Sequence, residues 1–251
     1  MQKVIDNHIF YNELAKDYDS MISFESSVNK KIKLLKSFIH SETRNAADIG
    51  CGTGADSISL ASSGLKITAF DPSIEMLKKA EINAGNFNVK IELQNFSATT
   101  IPNGFNNSFD LIVSLGNTFA NIPEKNFSDS LRRCFEILKP NGRLLIQILN
   151  YEKILAEKKR IISVTKGEKK YFVRFYDFTD EHLVFNLLKF DEQNPSDYKL
   201  TSTQISPYVL ENFLTTLNQA GFTTIRHFAD LAQSEYVKKN SDNLVILASK
   251  G

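Results

Sequence analysis

Between residues 46 and 54 the chain reads Ala46-Ala47-Asp48-Ile49-Gly50-Cys51-Gly52-Thr53-Gly54. A short apolar run gives way to alternating glycines, and a carboxylate stands just ahead of them. Glycine in such a turn leaves bare backbone for a ligand to lie against, space that any Cβ would occupy. The Gly-x-Gly-x-Gly spacing differs from the Gly-x-Gly-x-x-Gly of dinucleotide binders. A pyrophosphate is drawn to a helix N-terminus and repelled by a neighbouring anion, so Asp48 argues against one. A carboxylate there suits a nucleoside with a cationic amine or sulfonium end. A second acidic position follows, where residues 65–70 (LKITAF) run into Asp71-Pro72-Ser73. An acid at the tip of the second strand of a βαβ unit accepts both ribose hydroxyls of a nucleoside, through charge-assisted bonds worth roughly 1.5–3 kcal/mol each.

Such residues act only if regular elements hold them. Ile32, Leu34, Leu35, Phe38 and Ile39 recur at helical spacing among lysines, which predicts a helix over 11–40. Short apolar segments at 45–49, 65–70, 88–93, 109–114 and 143–149 read as strands, and 55–63, 73–84 and 124–138 as helices between them. Residues 109–114 (FDLIVS) are nearly all apolar, as in a strand covered on both faces. Pro140-Asn141-Gly142 signals a turn. Strands and helices alternating at these lengths build a parallel, doubly wound sheet. The rhythm then breaks. Residues 161–166, 171–178, 183–190 and 198–205 are rich in β-branched and aromatic side chains and predict an added antiparallel sheet. Helix 207–220 and strands 222–228 and 243–249 close the pattern, with a short helix over 152–160 after the fifth main strand.

Composition narrows the function. The 251 residues carry 30 basic and 29 acidic side chains, a net charge of +1, which argues against broad electrostatic binding to nucleic acid or anionic membrane. Cys51 and Cys134 make no disulfide framework: Cys51 reads as a loop filler and Cys134 as core. The four histidines make no metal-spacing motif. No apolar run approaches a membrane span or a signal core, so a cytoplasmic protein is expected.

Taken together, ADIGCGTG, AFDPS, FDLIVSLGNTFANI and LKPNGRLLIQILNY resemble the corresponding motifs of class I S-adenosylmethionine-dependent methyltransferases. SLGNTFANI and Asn150-Tyr151 are more narrowly similar to glycine N-methyltransferase-like small-molecule enzymes. The resemblance implies an α/β fold: a doubly wound, mostly parallel, seven-stranded Rossmann-like sheet, with the antiparallel insertion (161–206) between strand five and the last helix. It implies one domain over 1–251, with an N-terminal helical lid over 1–40. It also implies S-adenosylmethionine as cofactor, S-adenosylhomocysteine as product, and in-line methyl transfer to a small-molecule acceptor, with no nucleic-acid or membrane partner.

Carried over residue by residue, Asp48 lies near the cofactor's amino-acid portion, and Gly50, Cys51 and Gly52 line its cradle. Asp71 takes the ribose, with Pro72 and Met76 near the adenine. Leu115, Gly116 and Asn117 border the methyl group, and Tyr11 and Tyr18 close over the cofactor. Asn117 and Tyr18 are the candidates for touching the reacting atoms. Ser97 and Ala98 stand where the family commonly has an adenine-binding Asp. Asn117, Asn150 and Tyr151 are candidate acceptor contacts. Arg174 is another, because period-two alternation sets it between Phe172 and Tyr176 on one strand face, where it would suit a carboxylate-bearing or aromatic acceptor. Other readings stand beside this one, among them a protein methyltransferase and a nicotinamide dehydrogenase, the latter disfavoured by the glycine spacing and by Asp48. A nucleic-acid methyltransferase would carry an Asn/Asp-Pro-Pro-aromatic motif where this chain has Ser114-Leu115-Gly116-Asn117. A non-catalytic subunit could keep the fold and regulate a partner.

Overall fold

The computed structural model describes residues 3–167, 169–180 and 182–251. A two-residue strand, β1 (Val4–Ile5), leads into α1 (Asn7–Ile22) and α2 (Phe24–Leu35). The sequence predicts one helix across this stretch. Instead it breaks at Ser23, whose φ of 52° is left-handed and whose N–H donates to the Asp19 carbonyl. The break lets the halves bury different faces. Phe10, Leu14, Ala15 and Met21 of α1 pack against Phe172, Leu187 and Met76, whereas Phe24 and Val28 of α2 pack against Ala55 and Ile58.

The main sheet has seven strands: β2 (Asn45–Ile49), β3 (Lys66–Phe70), β4 (Ile91–Gln94), β5 (Phe109–Ser114), β6 (Leu138–Leu149), β11 (Phe222–Phe228) and β12 (Asn243–Lys250). Their order is β11-β12-β6-β5-β2-β3-β4. β4 to β6 run parallel, and β12 pairs antiparallel with both β6 and β11. Leu111 and Val113 of β5 face the cluster holding Leu35, Phe38 and Leu60, while Ile112 faces the one holding Leu131 and Phe213. Alternate residues thus enter opposite cores, which is why β5 is apolar throughout. The predicted turn at Pro140–Gly142 lies inside β6 as a register jump: Phe109 pairs with Leu138, but Leu111 pairs with Arg143.

Connecting these strands are α3 (Ala55–Ala61), α4 (Ile74–Asn86) and α5 (Glu124–Ile137). α6 (Tyr151–Glu157) follows β6, and α7 (Leu210–Ala220) precedes β11. Between α6 and α7 stands the second sheet, β7 (Ile161–Lys166), β8 (Lys170–Phe178), β9 (Leu183–Asp191) and β10 (Tyr198–Ile205), joined in antiparallel pairs. β1, which no sequence pattern announces, adds parallel to the β10 edge (Val4 opposite Ser202) and ties the start of α1 to this sheet. α1 packs against α4 and against β10 of the second sheet. Among the described residues no helix is long and apolar enough to cross a membrane.

Leu131 on α5 is fully buried among Phe127, Ile137 and Phe213. Leu131→Ala is expected to destabilise the fold by about 2–5 kcal/mol, read as a lower urea midpoint at unchanged slope.

Candidate active site

In the main sheet the chain winds outward from β2 to β4 and then returns to β5 on the other side of β2. The crevice outside the carboxyl ends at that reversal is where a doubly wound sheet takes its ligands. The glycine loop sits there. Gly50 and Cys51 both donate their N–H to the Phe70 carbonyl, at 2.7 and 3.1 Å, which ties the loop to the tip of β3. The glycines do different work. Gly50 (φ +73°) faces Thr118, and a Cβ on it would stand 2.2 Å from Thr118 Cγ2. Gly52 (φ +54°) has no atom within 4 Å of a Cβ position, so its open side is bare cavity.

Asp71, 7% exposed, lies across from Gly52. Its Oδ2 accepts from Gly52 N and its Oδ1 from Ser73 N, both at 2.8 Å. Burial pushes its pKa up to about 6, with the two N–H donors holding it from rising further. Ser73 caps α4 by accepting from Met76 N and donates to Asn12 Oδ1 of α1 at 2.6 Å. Around these groups opens a cavity whose empty space, mouth included, is about 1140 Å³. One wall carries an ion pair, Lys31 Nζ to Asp56 at 2.7 Å. Burial alone would lower the Lys31 ammonium, but Asp56 more than offsets this and holds it high. Thr53, 1% exposed, lines the same cavity, and its hydroxyl has no hydrogen-bond partner among the described residues. A bare backbone cradle, a fixed carboxylate, a fixed cation and an unmatched hydroxyl fit a zwitterionic nucleoside. No group of three metal-ligating side chains occurs among the described residues.

A methyltransferase-domain family profile matches residues 46–142, the span that carries this loop, Asp71 and β5. The glycine/sarcosine N-methyltransferase of Parasynechococcus marenigrum is 27% identical over 96% of this chain and 84% of its own. Rat glycine N-methyltransferase is 33% identical, over 43% of this chain and 41% of that enzyme. The crystal structure of an S-adenosylmethionine-dependent methyltransferase from Clostridium acetobutylicum overlays with a TM-score of 0.76 at 19% identity, covering 96% and 99% of the two chains. The chain carries a methyltransferase domain and is similar over nearly its whole length to enzymes that use S-adenosylmethionine as methyl donor.

Within this methyltransferase Tyr11, Tyr18, Gly50, Cys51, Gly52, Asp71, Pro72, Met76, Ser97, Ala98, Leu115 and Gly116 all line the cavity. Burial pushes the Cys51 thiol well up, which suits a filler and not a nucleophile. The Ser97 hydroxyl is shared with Thr99 and Thr100 at 3.2 and 3.0 Å. Asp48 stands behind the loop, 1% exposed, accepting from Ser57 Oγ at 2.6 Å. Its pKa is raised by burial and then by neighbouring Asp56.

The remaining expected residues lie outside this lining. Asn117 uses both ends of its amide internally: Nδ2 donates to the Tyr151 hydroxyl at 2.8 Å, and Oδ1 accepts from Leu149 N at 3.0 Å. Tyr151, 1% exposed, is held between Asn117 and Tyr176. Asn150 stands at the N-cap of α6. Its Nδ2 donates to the Lys238 and Ser241 carbonyls at 2.8 and 2.9 Å, and its Oδ1 accepts from the Tyr236 hydroxyl at 3.0 Å, so it anchors a distant loop and has no amide atom to spare for an acceptor. Arg174 shares its strand face with buried Phe172 and Tyr176; its Nε donates to Ser163 Oγ at 2.7 Å, and its charge acts on the hydroxyls of Tyr18 and Tyr176. Sequence reasoning missed Lys31, Asp56 and Asn121. Lys31 is one of several lysines on α2, and nothing in their spacing says which turns inward.

The two glycines separate stability from binding. Gly50→Ala is expected to lower stability by more than about 2 kcal/mol through overlap with Thr118 and left-handed strain. Gly52→Ala should cost about 1–2 kcal/mol through strain alone. Thermal melting of the unliganded variants checks the order.

Proposed function

We propose that this methyltransferase transfers a methyl group to a small-molecule acceptor inside the cavity under α1. S-adenosylmethionine supplies that methyl on a sulfonium, an excellent leaving group. The observation that carries the reading is the pairing of an open Gly52 with the buried Asp71 carboxylate directly across from it. In this reading Asp71 accepts from the ribose hydroxyls, and the Gly50–Gly52 backbone lies along the nucleoside. Pro72, Met76, Ser97 and Ala98 flank the adenine. Lys31 faces the amino-acid carboxylate, and Asp56, with Asp48 behind it, favours the ammonium. Leu115 and Gly116 border the methyl group. Tyr11 and Tyr18 close the space from above and keep water out. Asn117 and Tyr151 position this wall without spending an amide on the acceptor.

No nucleophile–base pair is required of the protein. Holding acceptor nitrogen or oxygen, methyl carbon and sulfur in line supplies roughly 7–11 kcal/mol of the barrier. Enclosure beneath α1 and the second sheet favours an acceptor of metabolite size. The named activities of the glycine and glycine/sarcosine relatives point the same way.

Asp71 also sets a pH dependence. Its folded pKa of about 6 lies above the ordinary 3.8, so the ionised form is the one that folding penalises, and this group weakens the unliganded fold as pH rises from 4 to 6. Ligand binding runs the other way, because the ionised carboxylate is the better acceptor of ribose hydroxyls. S-adenosylhomocysteine affinity is expected to fall about tenfold between pH 7 and pH 5. Asp71→Asn should bind about tenfold more weakly at pH 7 and lose that pH dependence. Calorimetric titration at both pH values checks this; a flat wild-type profile would remove Asp71 from the ribose.

A further inference from the structure

Asn121 stands in the wall between the cofactor cavity and a wider cavity beyond it, whose empty space is about 2090 Å³ with its mouth. Its amide orientation is fixed. Nδ2 donates to the Asn117 carbonyl at 3.3 Å, an atom that can only accept, and to the Tyr11 hydroxyl at 3.1 Å. The other amide atom, Oδ1, is buried and has no donor among the described residues. A buried carbonyl without a donor costs about 1–3 kcal/mol, a deficit that a ligand N–H reaching this wall would remove. Asn117, four residues earlier, has no such vacancy, because Leu149 N already fills its Oδ1.

The wider cavity adds a sign. Asp6, Glu124 and Asp180 stand exposed in its lining, and the described lining residues include no lysine or arginine. A cleft lined by one sign of charge concentrates ligands of the other.

We propose that Asn121 is the acceptor-positioning residue of this methyltransferase and that the acceptor is an amine, one N–H donating to Asn121 Oδ1 while the outer carboxylates draw its cationic form inward. This rests on the reading of the inner cavity as the cofactor site. A carboxylate or phenolate in that place would set an anionic oxygen against a carbonyl oxygen with no proton between them. The ammonium gives one proton to water before it reaches the methyl, and the neutral amine, held by one N–H, keeps its lone pair for attack. That pair forms the N–C bond as the C–S pair passes to sulfur, and the product ammonium releases its extra proton to water.

The test measures S-adenosylhomocysteine formation with glycine, histamine and glucosamine, each against its hydroxyl counterpart: glycolate, histaminol and glucose. At least one amine is expected to turn over, its counterpart about a hundredfold more slowly. For that amine, Asn121→Ala should raise KM about tenfold and leave kcat within about threefold. The amine should also bind about tenfold more weakly to the variant saturated with S-adenosylhomocysteine, measured by calorimetry. Affinity for S-adenosylhomocysteine alone should not change. Asn121→Leu, close in volume, carries the same test if alanine loosens the turn. Preference for an oxygen acceptor overturns the proposal. So does silence with all three amines from protein that binds S-adenosylhomocysteine, or an unaltered KM in both variants. Protein that does not bind S-adenosylhomocysteine fails at the cofactor site instead, and takes this proposal with it.

Discussion

A carboxylate kept from water needs donors, and Asp71 finds them in the backbone N–H groups of Gly52 and Ser73, each at 2.8 Å. That pair of bonds holds the parts of the site in register. One bond fixes the glycine loop against the tip of β3. The other fixes the start of α4, whose cap Ser73 donates to Asn12 and so fastens α1 above. Asn95, just past β4, donates to the Asp71 carbonyl at 2.9 Å and secures the same point from the other side. The carboxylate is aimed before any ligand arrives, which is the form of preorganisation that makes binding inexpensive in ordering entropy.

The cavity holds an excess of acid. Asp56 and Asp71 line it and Asp48 stands just behind it, all three buried, and Lys31 is ion-paired with Asp56. Burial has raised Asp48 and Asp71, the response of carboxylates short of counter-charge. A ligand bearing a sulfonium and an ammonium repairs that deficit, whereas a pyrophosphate would deepen it. The choice of cofactor therefore follows from electrostatics as well as from shape.

Much of this was legible in the chain. β2, β5, β7, β10 and β11 lie where apolar runs and alternation place them, because short length, β-branched and aromatic content and flanking turn residues favour strand over helix there. The glycine loop and Asp71 were legible because their spacing is local. What escaped is non-local. β1 is two residues long and exists through its pairing with β10, nearly two hundred positions away. Ser23 divides a helix whose lysine-rich surface reads as continuous. Lys31 is one lysine among neighbours until the fold turns it toward Asp56. Asn117 and Asn150 look like ligands in sequence, since a polar residue after a strand is equally suited to a pocket or to a buried amide anchor. The hydrogen bonds to Leu149, Tyr151, Lys238 and Ser241 decide for the anchor. Asn121 carried no local signal beyond its loop, and its role turns on one unmatched oxygen.

The most direct measurement is equilibrium binding of labelled S-adenosylmethionine to the purified chain at pH 7, in competition with NAD. Saturation at one ligand per chain, undisturbed by excess NAD, is the predicted result. Failure to bind S-adenosylmethionine, or displacement by NAD at comparable concentration, would contradict a cavity built for a cationic nucleoside.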